Sequence, residues 1–316
     1  MRILFIGTGD IGVPALQSLI NARDHTLAAI VTQPDKPVGR HQELLASPIK
    51  QLALRNNIPV FQPLRIREPA AIEEIQKLKP DVIVVMAYGQ ILPRAVLDAP
   101  LFACLNLHAS LLPRFRGASP VQAAIEAGDR ETGITVMHVA EGLDTGDIFL
   151  AKRIPIRRRE TGGSLHDRLA ALAPEALIEA LEIIGQGNLH RVPQENSSAT
   201  YASKLTRENG HIDWEANALA IGRTIRAMNP WPAAFTTLGC SDGQIRKLKV
   251  FSAIVCRKVT GAPGVILHQD RNGILVGTGM GAILLREIQL EGKKRMSARD
   301  FLLGHPLPVG TILGSL

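Results

Sequence analysis

The chain reads as an α/β protein with a doubly wound, mostly parallel sheet, followed by a small all-β C-terminal domain. Three observations predict this. Up to about residue 188, short apolar runs alternate with stretches of helical spacing, the pattern of strand–helix–strand units. The run DVIVVMAYG (81–89) is apolar almost throughout, as expected of a strand covered on both faces. After residue 206, short β-rich runs follow one another between glycines, which suits a small barrel or sandwich.

The elements follow in order. RILFIG (2–7) is a strand, PALQSLINA (14–22) has helical spacing, and TLAAIVT (26–32) is a strand again. IKQLALRN (49–56) and AAIEEIQKL (70–78) read as helices, with a short extended PVF (59–61) between them. LFACLNLH (101–108), bounded by Pro100, is a short buried strand. A helix over 119–127 has Ser119 as N-cap and Pro120 at its first position. GITVMHV (133–139) is a strand. A further helix runs from about Ser164 to Ile184, and Pro174 should bend or split it. Residues 189–206 are polar and aperiodic and read as a linker. That divides the chain into a domain over 1–188 and another over 207–316. The second opens with a helix at about 215–227. Strands follow at AAFTTL, RKLKVFSAIV, GVILH, GILVGTG and AILLREIQL.

A length of 316 residues allows two domains, and 46% hydrophobic with 21% charged residues describes an ordinary globular protein. Cys104, Cys240 and Cys256 are widely spaced, without a C-x-x-C pair. This argues against a disulfide framework or zinc site and fits a reducing cytoplasm. No apolar run approaches the ~20 residues that span a membrane, and the start lacks signal-peptide features. Charge is uneven. Residues 1–206 hold 22 Lys and Arg against 21 Asp and Glu, whereas 207–316 hold 14 against 8. The excess in the smaller part points to an acidic partner, nucleic acid first.

GTGDIG (7–12) matches the dinucleotide fingerprint, between a strand and a helix. That fingerprint also needs an acid at the end of the second strand to hold the ribose. Here the strand ends AIVTQP, and Asp35 comes only after Pro34. A glycine-rich first turn also serves tight strand–helix packing, so nicotinamide binding is not expected.

The strongest candidate site is polar residues at a strand end. Side chains two apart on a strand share a face, so Asn106 and His108 project together. The strand 133–139 leads into LDTGD, which carries Asp144. An amide, an imidazole and a carboxylate are expected to meet at the edge where open α/β sheets bind ligands. Between them, HASLLPRFRGASP (108–120) forms a loop offering backbone groups, with Arg114 and Arg116 placed to meet an anion. The His and Asp spacing matches no metal motif.

NLHASLLPRFRG followed by ETGITVMHVAEGLDTGDI closely resembles the folate-dependent formyltransferases. These share an Asn-x-His strand end, a Ser-Leu-Leu-Pro loop and a Leu-Asp-Thr-Gly-Asp loop. VTQPDKPVGR, SPIKQLA, YGQILP, TYASKL, IDWE, IRAMNPWPAA and GKKRMSARDFL are similar to the branch of that family acting on methionine carried by initiator tRNA. The resemblance covers essentially the whole chain. It implies a Rossmann-like catalytic domain and a C-terminal barrel of OB type. It implies 10-formyltetrahydrofolate as formyl donor, without a metal, and methionyl-initiator tRNA as acceptor, in a monomeric cytoplasmic enzyme. Asn106 would then donate to the oxygen of a tetrahedral intermediate, with His108 and Asp144 sharing the proton work. Ser110, Leu111, Leu112 and Pro113 would bind the folate, and the backbone around Tyr88, Gly89, Gln90 and Ile91 would help recognise the pterin.

For the tRNA, the densest basic cluster of the C-terminal domain is Lys293, Lys294 and Arg295, and Arg246, Lys247 and Lys249 form another. Trp214 and Trp231 are read as core residues, with RNA-stacking surfaces as the alternative. The loop 32–48 resembles the family's acceptor-end loop, and Arg40 matches its arginine. Where the family continues with glycine and two lysines, this chain has His41, Gln42 and Glu43. The alternative reading is a formyltransferase of the same fold acting on a small amine such as a nucleotide-sugar. The basic C-terminal domain argues against it.

Overall fold

The structure, a computed structural model, describes residues 1–38, 43–240 and 243–314. It divides by contacts into two compact units. The first comprises Met1–Pro120, Glu131–Pro155 and His166–Ser203, and the second Val121–Arg130, Ile156–Leu165 and Lys204–Leu316.

The first unit begins with β1 (Arg2–Gly7), α1 (Val13–Asn21) and β2 (Thr26–Val31). A short antiparallel pair, β3 (Lys36–Val38) and β4 (Glu43–Leu45), precedes α2 (Pro48–Arg55). The turn of that pair, with Arg40, lies outside the described residues. Then come β5 (Val60–Phe61), α3 (Pro69–Lys77), β6 (Val82–Met86), α4 (Arg94–Leu97), β7 (Ala103–His108) and the two-residue β8 (Arg116–Gly117). After the helix α5 (Pro120–Ala127), which from Val121 on belongs to the second unit, come β9 (Glu131–His138), β10 (Ile148–Pro155), α6 (Gly162–Gly185), in the first unit from His166 on, and β11 (Tyr201–Ala202).

The main sheet has seven strands in the order β10-β9-β7-β6-β1-β2-β5. From β5 to β7 every pairing is parallel, and β9 and β10 are antiparallel. Consecutive residues Ile3 to Ile6 of β1 are all fully buried, so both faces of the sheet are covered. All five residues of β6 are buried as well, as its unbroken apolar sequence requires. One face packs Leu4, Ile6, Ile83, Val85 and Cys104 with residues of α3 and α4. Cys104 is buried, and burial pushes its thiol pKa up, so it serves as a small hydrophobe.

Two expectations change. Pro174 does not split its helix: α6 is a single element of 24 residues with the proline inside. Leu169, Ala173, Ala176, Leu177, Ala180, Leu181 and Ile184 form one buried stripe on both sides of it. Their burial outweighs the one backbone hydrogen bond that a proline removes. The stretch 189–206 is not a free tether. Val192 bridges to Ile148, and β11 pairs in parallel with β8.

The second unit contains α7 (Ala218–Ala227), β12 (Ala234–Gly239), β13 (Ile245–Cys256), β14 (Ile266–Asp270), β15 (Gly273–Gly277), β16 (Ala282–Leu290), β17 (Met296–Ser297) and α8 (Ala298–Gly304). Its strands pair antiparallel along the path β12-β13-β16-β15-β14, with β17 on β16. Period-two alternation turns Leu248, Val250, Ile274, Val276, Ile283 and Leu285 into a second core with Ile221 and Ile225 of α7. Among the described residues, no helix is long and apolar enough to cross a membrane.

Substituting Pro174→Ala restores a backbone donor within α6. It should raise the urea midpoint at unchanged m-value, a gain of about 1–3 kcal/mol. A lowered midpoint would show that the ring itself is needed for packing.

Candidate active site

Strand alternation places Asn106 and His108 on one face of β7, as the sequence indicates. Asn106 is half-buried and His108 is 6% exposed. The strand β9 runs antiparallel to β7, with Leu105 opposite His138 and His108 opposite Thr135. The chain therefore leaves β9 beside the start of β7, where the Val139 N–H donates to the Cys104 carbonyl. The loop 139–147 must turn back to bring Asp144 to Asn106. Gly146 permits that return, because a Cβ there would overlap the His138 carbonyl oxygen.

Asp144 is the hub. Its Oδ2 accepts the Gly117 N–H at 2.8 Å, and its Oδ1 accepts from Asn106 Nδ2 at 3.4 Å. His108 Nδ1 stands 3.6 Å from Oδ2. The other ring nitrogen, Nε2, is 2.9 Å from the Phe115 carbonyl oxygen. A carbonyl only accepts, so Nε2 carries a hydrogen. That fixes the neutral tautomer, with Nδ1 facing Asp144.

The backbone is bent to make these contacts. Asp144 has φ +50° and Phe115 φ +59°. Aspartate tolerates the left-handed region, whereas for a bulky phenylalanine it is strained, of the order of 1–3 kcal/mol. The strained residue supplies the carbonyl that orients His108. Gly117 has φ +113°, and a Cβ there would stand 2.6 Å from the Ala202 carbonyl oxygen. Only glycine brings this N–H to Asp144.

The loop 109–116 is held from behind. Thr135 Oγ1 donates to the Ser110 carbonyl at 2.7 Å and accepts the Leu112 N–H at 3.2 Å. Ser110 is fully buried, and its hydroxyl donates to the Arg114 carbonyl. Among 110–113, Leu111 and Pro113 are half-buried and Leu112 is buried. The expectation that Arg116 meets an anion is corrected: it is 2% exposed, with its guanidinium donating to Gln194 Oε1 and Asn196 Oδ1. Gln194 in turn donates from Nε2 to the carbonyls of Asp144 and Gly146, at 2.9 and 2.8 Å. Arg116 and Gln194 thus brace the Asp144 loop. Thr135, a hydroxyl between the apolar Ile134 and Val136, was visible in the sequence as a polar residue in a buried strand. Gln194, within an aperiodic stretch, carried no such signal.

Beside this site, residues 87–91 follow β6, the parallel neighbour of β7. The Tyr88 carbonyl accepts from Gln33 Nε2 at 2.6 Å, and Gln90 spans the Ile66 N–H and the Leu64 carbonyl. Gly89 (φ +81°) and Ile91 are exposed. The Tyr88 ring lies in the core. Its buried hydroxyl has no hydrogen-bond partner among the described residues, and burial pushes its pKa up to about 12. The Thr8 and Gly9 N–H groups of the glycine-rich turn both donate to the Ala87 carbonyl. Gly7 and Gly9 allow that approach, since a Cβ would meet the Met86 carbonyl oxygen at 2.8 Å and the Ala87 Cβ at 2.9 Å. Asp35 pairs with Lys50 at 2.6 Å and accepts from Gln62.

In the second unit the basic residues differ in availability. Arg295 is engaged bidentately by Glu287, at 2.7 Å for both bonds, and lies over the Phe251 ring. Lys293 and Lys294 are exposed in the turn after β16. Lys247 and Lys249 share the outer face of β13, while Arg246 takes the opposite parity. Trp214 is core, 6% exposed, with its indole N–H on Thr236 Oγ1 at 2.9 Å. Trp231, also read as core, is instead 55% exposed.

Comparison with known proteins matches both units to family models. Residues 1–181 fit the model for formyl transferase, and 204–306 that for the formyl transferase C-terminal domain. The chain is 49% identical to a methionyl-tRNA formyltransferase of Methylacidiphilum infernorum, over 99% of this chain and 98% of the relative. It is 48% identical to that of Akkermansia muciniphila, over 97% of each. Among solved structures, the sugar 3N-formyltransferase WlaRD shares the fold with TM-score 0.65 at 18% identity, over 93% of this chain and 99% of that one. HypX from Aquifex aeolicus, solved with tetrahydrofolic acid, does so with TM-score 0.61 at 21% identity, over 96% of this chain and 47% of that one. With both family models matched in order and nearly half of all residues shared along its length, the chain belongs to the formyl transferase family, among the methionyl-tRNA formyltransferases.

Proposed function

We propose that this protein transfers the formyl group of 10-formyltetrahydrofolate to the α-amine of methionine on charged initiator tRNA. The observation that carries this reading is the near-half identity, along the whole chain, to proteins named for that reaction. The site geometry supports it. Residues 207–316 supply the tRNA-binding surface, and the segment 87–91, exposed at Gly89 and Ile91, and the loop 110–113 hold the folate. The reading takes the enzyme to act as a monomer. The reading places the enzyme in the cytoplasm, with charged tRNA.

The acceptor amine, in its neutral form, attacks the formyl carbon, and the carbonyl oxygen takes the charge of the tetrahedral intermediate. Asn106 has two amide hydrogens; one is directed to Asp144, and the other is free to donate to that oxygen. A preorganised donor of this kind stabilises a transition state by about 3 kcal/mol. His108, protonated at Nδ1, is a second donor, and the Asp144 carboxylate stabilises its charge. Collapse of the intermediate breaks the bond to N10 of the folate. The proton lost by the amine is delivered to that nitrogen through His108 and Asp144.

Wild-type enzyme should formylate methionyl-initiator tRNA with 10-formyltetrahydrofolate and leave nucleotide-linked amino sugars unmodified; the reverse selectivity would establish the small-amine alternative. Asn106→Ala should lower the single-turnover rate about a hundredfold with folate affinity nearly unchanged. His108→Ala and Asp144→Asn should each lower it by about 10²–10⁴. Rates near wild type would remove these residues from the chemistry.

Gln194→Leu deletes the amide that braces the Asp144 loop while keeping its bulk. It should reduce kcat by about tenfold or more, since small displacements of a reacting group are costly. It should also displace the pH–rate profile, with the thermal midpoint little changed. An unaltered profile would mean that the loop holds Asp144 without it.

A further inference from the structure

The outer face of the second unit's sheet has a groove of about 480 Å³ whose lining includes Trp231, Phe235, Lys247, Lys249, Arg207 and Glu291. We infer that this groove is a nucleotide-binding subsite for the RNA substrate: a base stacks on the Trp231 indole while Lys247, Lys249 and Arg207 hold the adjoining phosphates. This rests on the tRNA reading above and assigns it a place.

The argument begins with strand parity. Leu248 and Val250 of β13 point into the core, so Lys247 and Lys249 point outward. Phe235 of β12 lies opposite Lys249, as does Gln289 of β16. Two cations and an aromatic ring therefore share one sheet face, the composition that single-stranded nucleic acid binds by stacking and charge. Lys247 Nζ sits 3.8 Å from the Phe235 ring centroid. Among the described residues, no salt bridge engages Lys247 or Lys249, in contrast to Arg295. Glu291 is present, but it accepts the Lys247 backbone N–H at 3.2 Å. The Glu208 carboxyl is held below the usual range first by a hydrogen bond from Thr206, with Lys247 and Arg207 contributing less. The groove thus stays net positive.

Trp231 is the decisive residue. A tryptophan 55% exposed in so basic a unit leaves a large apolar face in water. Its presentation is built in. The segment 228–233 is closed by the Ala233 N–H donating to the Met228 carbonyl, and Asn229 Nδ2 anchors it to the Phe251 carbonyl at 2.9 Å. Pro230 and Pro232 flank the indole and narrow its backbone freedom. A ring held out on a braced turn loses little entropy when a base stacks on it.

The test uses the full-length enzyme and initiator tRNA. Trp231→Ala should raise KM for methionyl-tRNA about tenfold, the scale of one base–aromatic stack, with kcat unchanged. Trp231→Phe, which keeps a stacking face, should recover most of that loss. Lys249→Gln should raise KM and reduce the slope of log KM against log salt by about one unit. Wild-type fluorescence should be quenched by uncharged tRNA, whereas Trp231→Phe, which retains only the buried Trp214, should show almost no change. Should Trp231→Ala misfold, the difference in quenching between wild type and Trp231→Phe still decides. Unchanged KM in a folded Trp231→Ala, or no quenching at saturating tRNA, overturns the subsite. Equal quenching by inorganic polyphosphate overturns it too, since no base is then required. If wild type formylates charged tRNA while any of these negatives holds, only the subsite fails; if wild type formylates no tRNA, the reading beneath it fails.

Discussion

The Gly117 N–H donating to the Asp144 carboxylate is the contact on which the rest of the site depends. It joins the loop after β7 to the loop after β9, two segments that sheet pairing alone does not bring together. Once the carboxylate is fixed, Asn106 and His108 have something to face. The backbone cost is visible on both sides, as left-handed conformations at Asp144 and Phe115 and a glycine that admits no Cβ. Strain at such positions persists only where the surroundings over-determine them. Here they do so through Thr135, Arg116 and Gln194.

That organisation explains why the site lies where it does. Parallel strands β6 and β7 open their C-terminal ends side by side, as at the ligand edge of any open α/β sheet. The antiparallel β9 breaks the winding and sends its loop back across the sheet face. Because β9 ends beside the start of β7, the Asp144 loop has to return along the sheet to reach Asn106. The glycine-rich first turn, which elsewhere receives a dinucleotide, spends its Thr8 and Gly9 N–H groups on the Ala87 carbonyl and so belongs to the packing of the sheet.

What was legible in the sequence follows from local rules. Strand parity placed Asn106 with His108, and apolar continuity identified the buried β6. Cap chemistry gave the start of α5 at Pro120. What was not legible depends on partners distant in sequence. Arg116 looked like a loop cation because nothing local shows that Gln194 and Asn196, almost eighty residues on, would enclose it. Pro174 looked like a break because the buried stripe that carries the helix through it is a tertiary property. Trp231 looked like core because composition cannot show that its turn is tied down with the indole outside. The antiparallel sense of β9, and with it the return of the Asp144 loop, is likewise set by pairing and not by the strand's own residues.

The central claim is that His108 is locked through Nε2–H on Phe115, with Nδ1 turned to Asp144. Ring-¹⁵N histidine NMR on the folded enzyme, with the resonance assigned by a His108 substitution, measures this directly. The account predicts that the neutral ring carries its hydrogen on Nε2. A neutral His108 with its hydrogen on Nδ1 would contradict it, because Phe115 would then face a nitrogen with nothing to donate.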